Sequence, residues 1–296
     1  MTDGAIACPS CDEKVDGRYC PQCGERRLQS HDYSMRHHLT EAFEIFTHLD
    51  SKLLRSLWQL VRRPGSLSVD YLQGRRVRFM RPLRLFVFVN VAYFLSLTLL
   101  HAIHFPVAPG IQFNTFATPL ETQLHGNDFY PGLAARAVAG KQQRAGLSHD
   151  ELERRYNETT TVFSKTLVFI LIPFIAALFA LLFFSKRRFL AEHLVVATHF
   201  WAFVLVLLGI ILPTVLAPAI YLAGVAGHST TTILNDVTVT YALQLALAVY
   251  IYFMLRKVYA ASGWYSAIVA LSLAWCFFFV VWLFRFFLFA ATLLAI

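Results

Sequence analysis

The sequence predicts an all-α membrane protein, a polytopic helical bundle of about five transmembrane helices, preceded by a small cysteine-bearing head and an amphipathic helical stem. Three observations predict it. Of the 296 residues, 57% are hydrophobic and 15% are charged, against about 25% charged in an ordinary soluble protein. Five uncharged stretches of 19 to 23 residues run from Leu85 to Phe105, Thr166 to Phe184, Leu194 to Leu216, Val237 to Leu255 and Trp264 to Phe284. A hydrocarbon core about 30 Å thick is crossed by about 20 helical residues, so each stretch is long enough to span it. Four cysteines in two pairs stand ahead of the first apolar run.

The head, residues 1–30, carries Cys8-Pro-Ser-Cys11 and Cys20-Pro-Gln-Cys23-Gly24, two C-x-x-C pairs separated by eight residues. Each such turn presents two thiolates to one metal, and this separation suits tetrahedral Zn2+. Cys8, Cys11, Cys20 and Cys23 are therefore expected to hold a closed, structural zinc site in a zinc ribbon, with Asp16-Gly17 as a hairpin turn in the spacer. A region this short cannot build a core, so the metal would supply its folding energy. Disulfide pairing is the competing reading of the same residues, and a cytosolic head disfavours it. Cys276, in the last span, is expected to be a small apolar packing residue.

The stem occupies residues 31–84. Its apolar residues Leu39, Ala42, Phe43, Phe46, Leu49, Leu53, Leu57 and Leu60 recur at three- and four-residue steps, the spacing of an amphipathic helix. Asp50-Ser51 can cap a new helix, so a break there is equally allowed. Pro64-Gly65 ends the run. A second short helix is expected from Ser66 or Ser68, with Val69 and Leu72 inward and Gly74 as its stop. Residues 1–51 hold five basic and nine acidic residues, whereas 52–84 hold nine basic residues and one acid, Asp70. The positive charge therefore abuts the membrane. Anionic lipid headgroups fit it better than nucleic acid, which is not an expected partner, at about 1 kcal/mol for each Lys or Arg near an anionic leaflet. Arg75, Arg76, Arg78, Arg81 and Arg84 are the expected headgroup residues, with Phe43, Phe46, Trp58 and Phe79 in the interface. The bland alternative is that these arginines only enforce orientation.

The N-terminus is polar and lacks an apolar signal core. Dividing the chain at the five spans puts the whole net charge of +8 on one side, shared among residues 1–84, the Lys186 to Glu192 loop, and Arg256 with Lys257. Lys and Arg enrichment marks the cytosolic side, so the expected arrangement is N-terminus inside and C-terminus outside. The last stretch, Trp264 to Ile296, is interrupted only by Arg285 and reads as one tilted helix with that side chain reaching the outer interface.

Several short motifs together resemble a family of bacterial integral membrane proteins of unknown function with an N-terminal cytosolic zinc ribbon. The resemblance rests on Tyr19-Cys20-Pro-Gln-Cys23-Gly24-Glu25, on Leu49-Asp50-Ser51-Lys52, and on Arg63-Pro64-Gly65 followed by Asp70-Tyr71-Leu72-Gln73-Gly74-Arg75-Arg76 and Pro82. It continues at Phe189-Leu190-Ala191-Glu192-His193-Leu194 with Thr198-His199-Phe200. It implies a multi-pass protein of the bacterial cytoplasmic (inner) membrane and brings a layout without a reaction. Asp12 stands where the family often has Gly after the second Cys.

Ionisable groups in or beside spans are the candidates for chemistry. Glu192 and His199, seven residues apart, share a helix face and are candidates for an acid/base pair or proton relay, whereas His193 and His199 lie about 120° apart. A structural pairing to a neighbouring helix is the competing reading. Arg285 is a further candidate. His101 and His104, one turn apart at the outer end of the first span, offer a weak metal or haem pair, and the adjacent His37 and His38 point apart. Pro173, Pro213 and Pro218 are expected to kink or end the second and third spans. In the outer loop 106–165, Pro106, Pro109, Pro119 and Pro131 predict an irregular approach, and Ser148 with Glu151 predicts a capped helix from His149.

The sequence carries no hydrolase elbow, phosphate loop or zinc-protease pair. It points first to a non-enzymatic adaptor or assembly factor that meets a cytosolic protein partner or anionic lipid. Small-solute or ion transport, for which a homo-oligomer would supply a pathway, and a lipid-modifying enzyme using Glu192 and His199 are the rivals.

Overall fold

The computed structural model describes residues 6–7, 14–15, 21–22, 51–75, 78–102, 116–125, 130–225 and 236–296. The chain divides into two compact units, Met1–Ser51 and Lys52–Ile296. In the first, β1 (Ile6–Ala7) and β2 (Lys14–Val15) form an antiparallel ladder with Ile6 opposite Val15 and Ala7 opposite Lys14. The sequence joining these strands contains the first cysteine pair. The four cysteines themselves, and the turn expected at Asp16-Gly17, lie outside the described residues.

The second unit is helical. The stem gives α1 (Ser51–Arg62) and α2 (Ser66–Leu72); residues 31–50, where the two stem geometries differ, lie outside the described residues. Gly65 turns the corner at φ 77°, a left-handed conformation that suits glycine. A Cβ there would lie 3.0 Å from the Met254 carbonyl oxygen and 3.0 Å from Val258 Cγ2. Gly74 at φ 81° follows the expected stop. Leu67 and Ser68 are the buried residues of α2, whereas the expected Val69 and Leu72 are half-buried.

Then come α3 (Pro82–Ala102), α4 (Leu120–His125), α5 (Pro131–Ala145), α6 (His149–Leu167), α7 (Leu171–Leu182), α8 (Leu190–Val206), α9 (Leu212–Val225), α10 (Asp236–Tyr259) and α11 (Gly263–Ala295). Five of the described helical segments are long and apolar enough to cross a membrane: Pro82–Leu100, His149–Leu182, Leu190–Leu216, Thr238–Tyr259 and Gly263–Ala295. They make the protein a multi-pass helical bundle. Outward stripes such as Leu83, Val87, Val91, Leu95 and Leu99 on α3 are exposed, as lipid-facing helices require.

α8 is the central helix. Its apolar residues surround the axis without a polar face, and positions 196–209 are all buried. Trp201 donates Nε1–H to the Leu171 carbonyl at 3.0 Å, and Phe203 stacks on Tyr250. A π-helical turn, Leu207–Ile211, precedes Pro213. The extra residue in that turn accommodates the ring and missing N–H of proline without ending the span. Gly209 lies so close to α3 that a Cβ would fall 2.7 Å from Tyr93 Cδ2.

In the loop 106–165 the described residues 120–125, 131–145 and 149–165 are helical, where its prolines predict an irregular approach. Pro131 occupies the first turn of α5, where its fixed φ and absent N–H are no hindrance, instead of breaking structure. Ser148 caps α6 as expected, accepting from Glu151 N–H at 3.3 Å. α11 is one helix of 33 residues, about 50 Å at 1.5 Å per residue. Its last turns run on to the loop helices: Phe289 packs with Tyr130, Leu120, Leu152 and Tyr156 in a small second core, and Thr160 donates to Thr292 Oγ1 at 3.1 Å.

Candidate functional site

The polar groups of the bundle gather where the stem meets α8 and α10. The stem is fastened from within. Gln59 Nε2 donates to Asp70 Oδ2 at 3.1 Å and joins α1 to α2, while buried Ser56 Oγ accepts the Met80 N–H at 2.9 Å and joins α1 to the start of α3. α2 then places Ser68 Oγ 2.9 Å from His199 Nδ1, with both side chains buried. The Nε2 of His199 is buried and has no hydrogen-bond partner among the described residues.

Glu192 and His199 do share a face of α8, but they are two turns apart, about 10.5 Å along the axis. Each takes a nearer partner. Arg188 Nη1 donates to Glu192 Oε2 at 3.1 Å, one turn away, while its Nη2 donates to the Val258 carbonyl at 2.7 Å and its guanidinium lies 5.5 Å from the Tyr259 ring centroid. His193 Nδ1 shares a 2.8 Å hydrogen bond with Tyr259 Oη and stacks on that ring, and Phe183 stacks on Tyr259 at 4.0 Å. Tyr259 thus joins α8, α10 and the segment after α7. Sequence reasoning missed it, and missed Ser68, because neither lies near its partner in sequence; the Arg188 to Glu192 spacing of four was visible.

The basic residues of the stem behave unequally. Arg78, Arg81 and Arg84 are exposed, as are Lys52, Arg55, Arg62 and Arg63, and Arg76 lies outside the described residues. Arg75 is also exposed, but it is held by an ion pair with Asp70. Helix α1 is two-sided. Leu53, Ser56 and Leu60 are buried, while Leu54, Trp58 and Val61 are 56%, 63% and 37% exposed on the adjoining face. Arg55 and Arg62 flank that face, and the Arg62 guanidinium lies 4.9 Å from the Trp58 ring centroid.

The other sequence candidates scatter. Arg285 is half-buried on α11. Cys276 on α11 is exposed, where a packing residue was expected. His37, His38 and His104 lie outside the described residues, and the same holds for the side chain of His101. Beside Cys276, a pocket lined by Phe179, Phe200, Ile251, Phe277 and Val280 has about 20 Å³ of open volume, space for a single water. Phe116, from the outer loop, is buried against Tyr93, Trp201 and Phe284.

No curated protein and no solved structure matches the chain. Residues 50–94, the stretch that forms α1, α2 and the first part of α3, match the model of a protein family of unknown function (DUF3667).

Proposed function

We propose that the protein is a non-enzymatic membrane adaptor or assembly factor of the bacterial inner membrane. Its N-terminal four-cysteine zinc ribbon meets a cytosolic protein, and its stem grips the anionic leaflet. The observation that carries the reading is the two-sided α1. One face is locked to the bundle through Leu53, Ser56 and Leu60, while Leu54, Trp58 and Val61 remain outward beside Arg55 and Arg62. An apolar strip edged by cations suits the boundary between acyl chains and anionic headgroups. Arg78, Arg81 and Arg84 extend the charge along the chain into the first span. The pairing of Glu192 with Arg188, of His193 with Tyr259 and of His199 with Ser68 favours structural roles for these groups over chemistry.

The test is the lipid shell of the purified full chain. Extracted in polymer discs, the parent is expected to carry more anionic lipid than a variant with Arg55→Glu, Arg62→Glu and Arg78→Glu, by about twofold or more. Affinity purification from crosslinked membranes is expected to return a partner that is lost when residues 1–30 are deleted. An unchanged lipid shell together with no partner dependent on the head would sink the proposal.

Small-solute or ion transport is the second reading, favoured by one observation, the buried Nε2 of His199, which has no hydrogen-bond partner among the described residues. Flux into proteoliposomes that disappears on His199→Ala would establish it in place of the first.

A further inference from the structure

We infer that the outer-loop helices hold a divalent first-row transition ion of the Zn2+ class between α4 and α6, through Glu121, His149 and Glu153. One ligand atom from each of these residues lies within 4.8 Å of the others, a group that an ion can draw together. His149 Nε2 stands 3.1 Å from Glu121 Oε1, and His125 Nε2 stands 3.5 Å from Glu121 Oε2. The two imidazoles reach opposite oxygens of the Glu121 carboxylate, so the ion takes Glu121, His149 and Glu153 and leaves a fourth position for water. Nitrogen and carboxylate ligands in that number suit Zn2+ and its neighbours.

The local sequence builds the site from two helices. His149 and Glu153 are four residues apart on one face of α6, and Glu121 meets them from α4. The helices are held in register independently of any ion. Asn157 on α6 accepts the Leu120 N–H at 2.9 Å, and Leu120, Tyr130, Val138, Leu152 and Tyr156 form a core beneath.

Charge balance gives a second argument. On the same helix Glu151 pairs with Arg154 and Arg155, and Glu158 pairs with Arg154. Among the described residues, neither Glu121 nor Glu153 has a Lys or Arg partner, although their oxygens converge. A divalent cation supplies the missing positive charge. Gln142 from α5 stands 3.2 Å from His149 Nδ1 and orients the ring. The atom facing Nδ1 is the Gln142 carboxamide nitrogen; with the ion on Nε2, Nδ1 carries the proton, and the carboxamide turns over to present its oxygen, an outer-shell contact of the kind that fixes metal-bound imidazoles. The ion clamps α4 onto α6, and binding uses neutral imidazoles and ionised carboxylates without any change of oxidation state.

The expected zinc of the head has only sulfur ligands, so Co2+ separates the two sites. Full-length protein with Cys8, Cys11, Cys20 and Cys23 changed to Ser is expected to bind one equivalent of Co2+. Its spectrum is expected to show weak visible bands and no thiolate charge-transfer band in the near ultraviolet. Adding His149→Ala or Glu121→Gln is expected to weaken that binding at least tenfold. His149→Gln keeps a hydrogen-bonding side chain toward Glu121 and guards against loss of folding. If it melts like the parent and binds Co2+ equally well, or if the chain lacking the four head cysteines binds no Co2+, the inference is overturned.

Discussion

Ser68 Oγ and His199 Nδ1 lie 2.9 Å apart across 131 residues of sequence, and the contact is buried. It fastens the stem to the most enclosed helix of the bundle, so α2 is a packed element of the membrane body and not a tether leading to it. Either tautomer of the imidazole completes the contact: Ser68 donates to a bare Nδ1, or Nδ1–H donates to the hydroxyl. In the first case the buried Nε2–H is left as a donor without an acceptor among the described residues; in the second Nε2 is left as an acceptor without a donor among them.

Removing one partner of this contact is therefore expected to cost more than removing both. Ser68→Ala leaves two unmatched imidazole nitrogens in the interior, at about 1–3 kcal/mol. His199→Phe alone leaves the Ser68 hydroxyl unmatched at a similar cost, whereas the double variant replaces both polar groups by apolar ones. Thermal unfolding in detergent is expected to show a double variant more stable than the sum of the single effects by about 1 kcal/mol. Strict additivity would mean that the two side chains do not interact.

Gly65 makes the same docking depend on backbone. Gly65→Ala is expected to destabilise the bundle by about 2–4 kcal/mol, through a left-handed φ and a Cβ forced onto the Met254 carbonyl. Gly74 shares the left-handed conformation at φ 81° but has open space around it, so Gly74→Ala is expected to cost about 1–2 kcal/mol from the backbone alone. Melting temperatures of the two variants compare the terms directly, and equal losses would contradict the close packing at Gly65.

The five spans were legible because lipid imposes a crude rule, uninterrupted apolar length, which single residues rarely violate. Local signals also served where the partner lies within one turn: Ser148 with Glu151, and Gly74 as a stop. What remained hidden was every contact made between segments. Glu192 and His199 share a face by periodicity, yet a shared face two turns long brings nothing into contact, and each group found a partner that periodicity cannot name. Pro131 was misread because proline marks the beginning of a helix as readily as its absence, and only the following residues decide which. The Glu121 and His149 group was invisible for a related reason: an i, i+4 pair such as His149 and Glu153 is common alone, and its meaning lies in two helices meeting.

Arg188 offers a sharper separation of geometry from charge. Its two terminal nitrogens reach Glu192 and the Val258 carbonyl at once, and its plane approaches the Tyr259 ring. Lysine retains the charge but has neither the fork nor the flat face. Arg188→Lys is thus expected to lose nearly as much stability as Arg188→Ala, about 1 kcal/mol given the partial exposure of the ion pair. Full rescue by lysine in thermal unfolding would reduce the residue to an orientation signal at the membrane surface.

The zinc proposal for the head leads to a prediction about cooperativity. Residues Met1–Ser51 and Lys52–Ile296 form separate compact units, and the second has its own core of Leu85, Phe86, Trp201, Leu247 and their neighbours. The head has a two-residue ladder and too little chain to bury a core, so its folding free energy would come from the metal. Cys20→Ser, or a strong chelator added to the parent, is expected to release about one zinc per chain and expose the head to proteolysis, because three remaining thiolates hold the ion much less tightly. The melting of the helical unit is expected to stay within about 1 °C of the parent, since the described core residues of that unit begin at Leu53. Zinc content by elemental analysis and limited proteolysis read the first effect, and a melting curve followed at the bundle tryptophans reads the second. A zinc-free parent chain would remove the metal from the head, while a large fall in bundle melting on chelation would show that the two units fold as one.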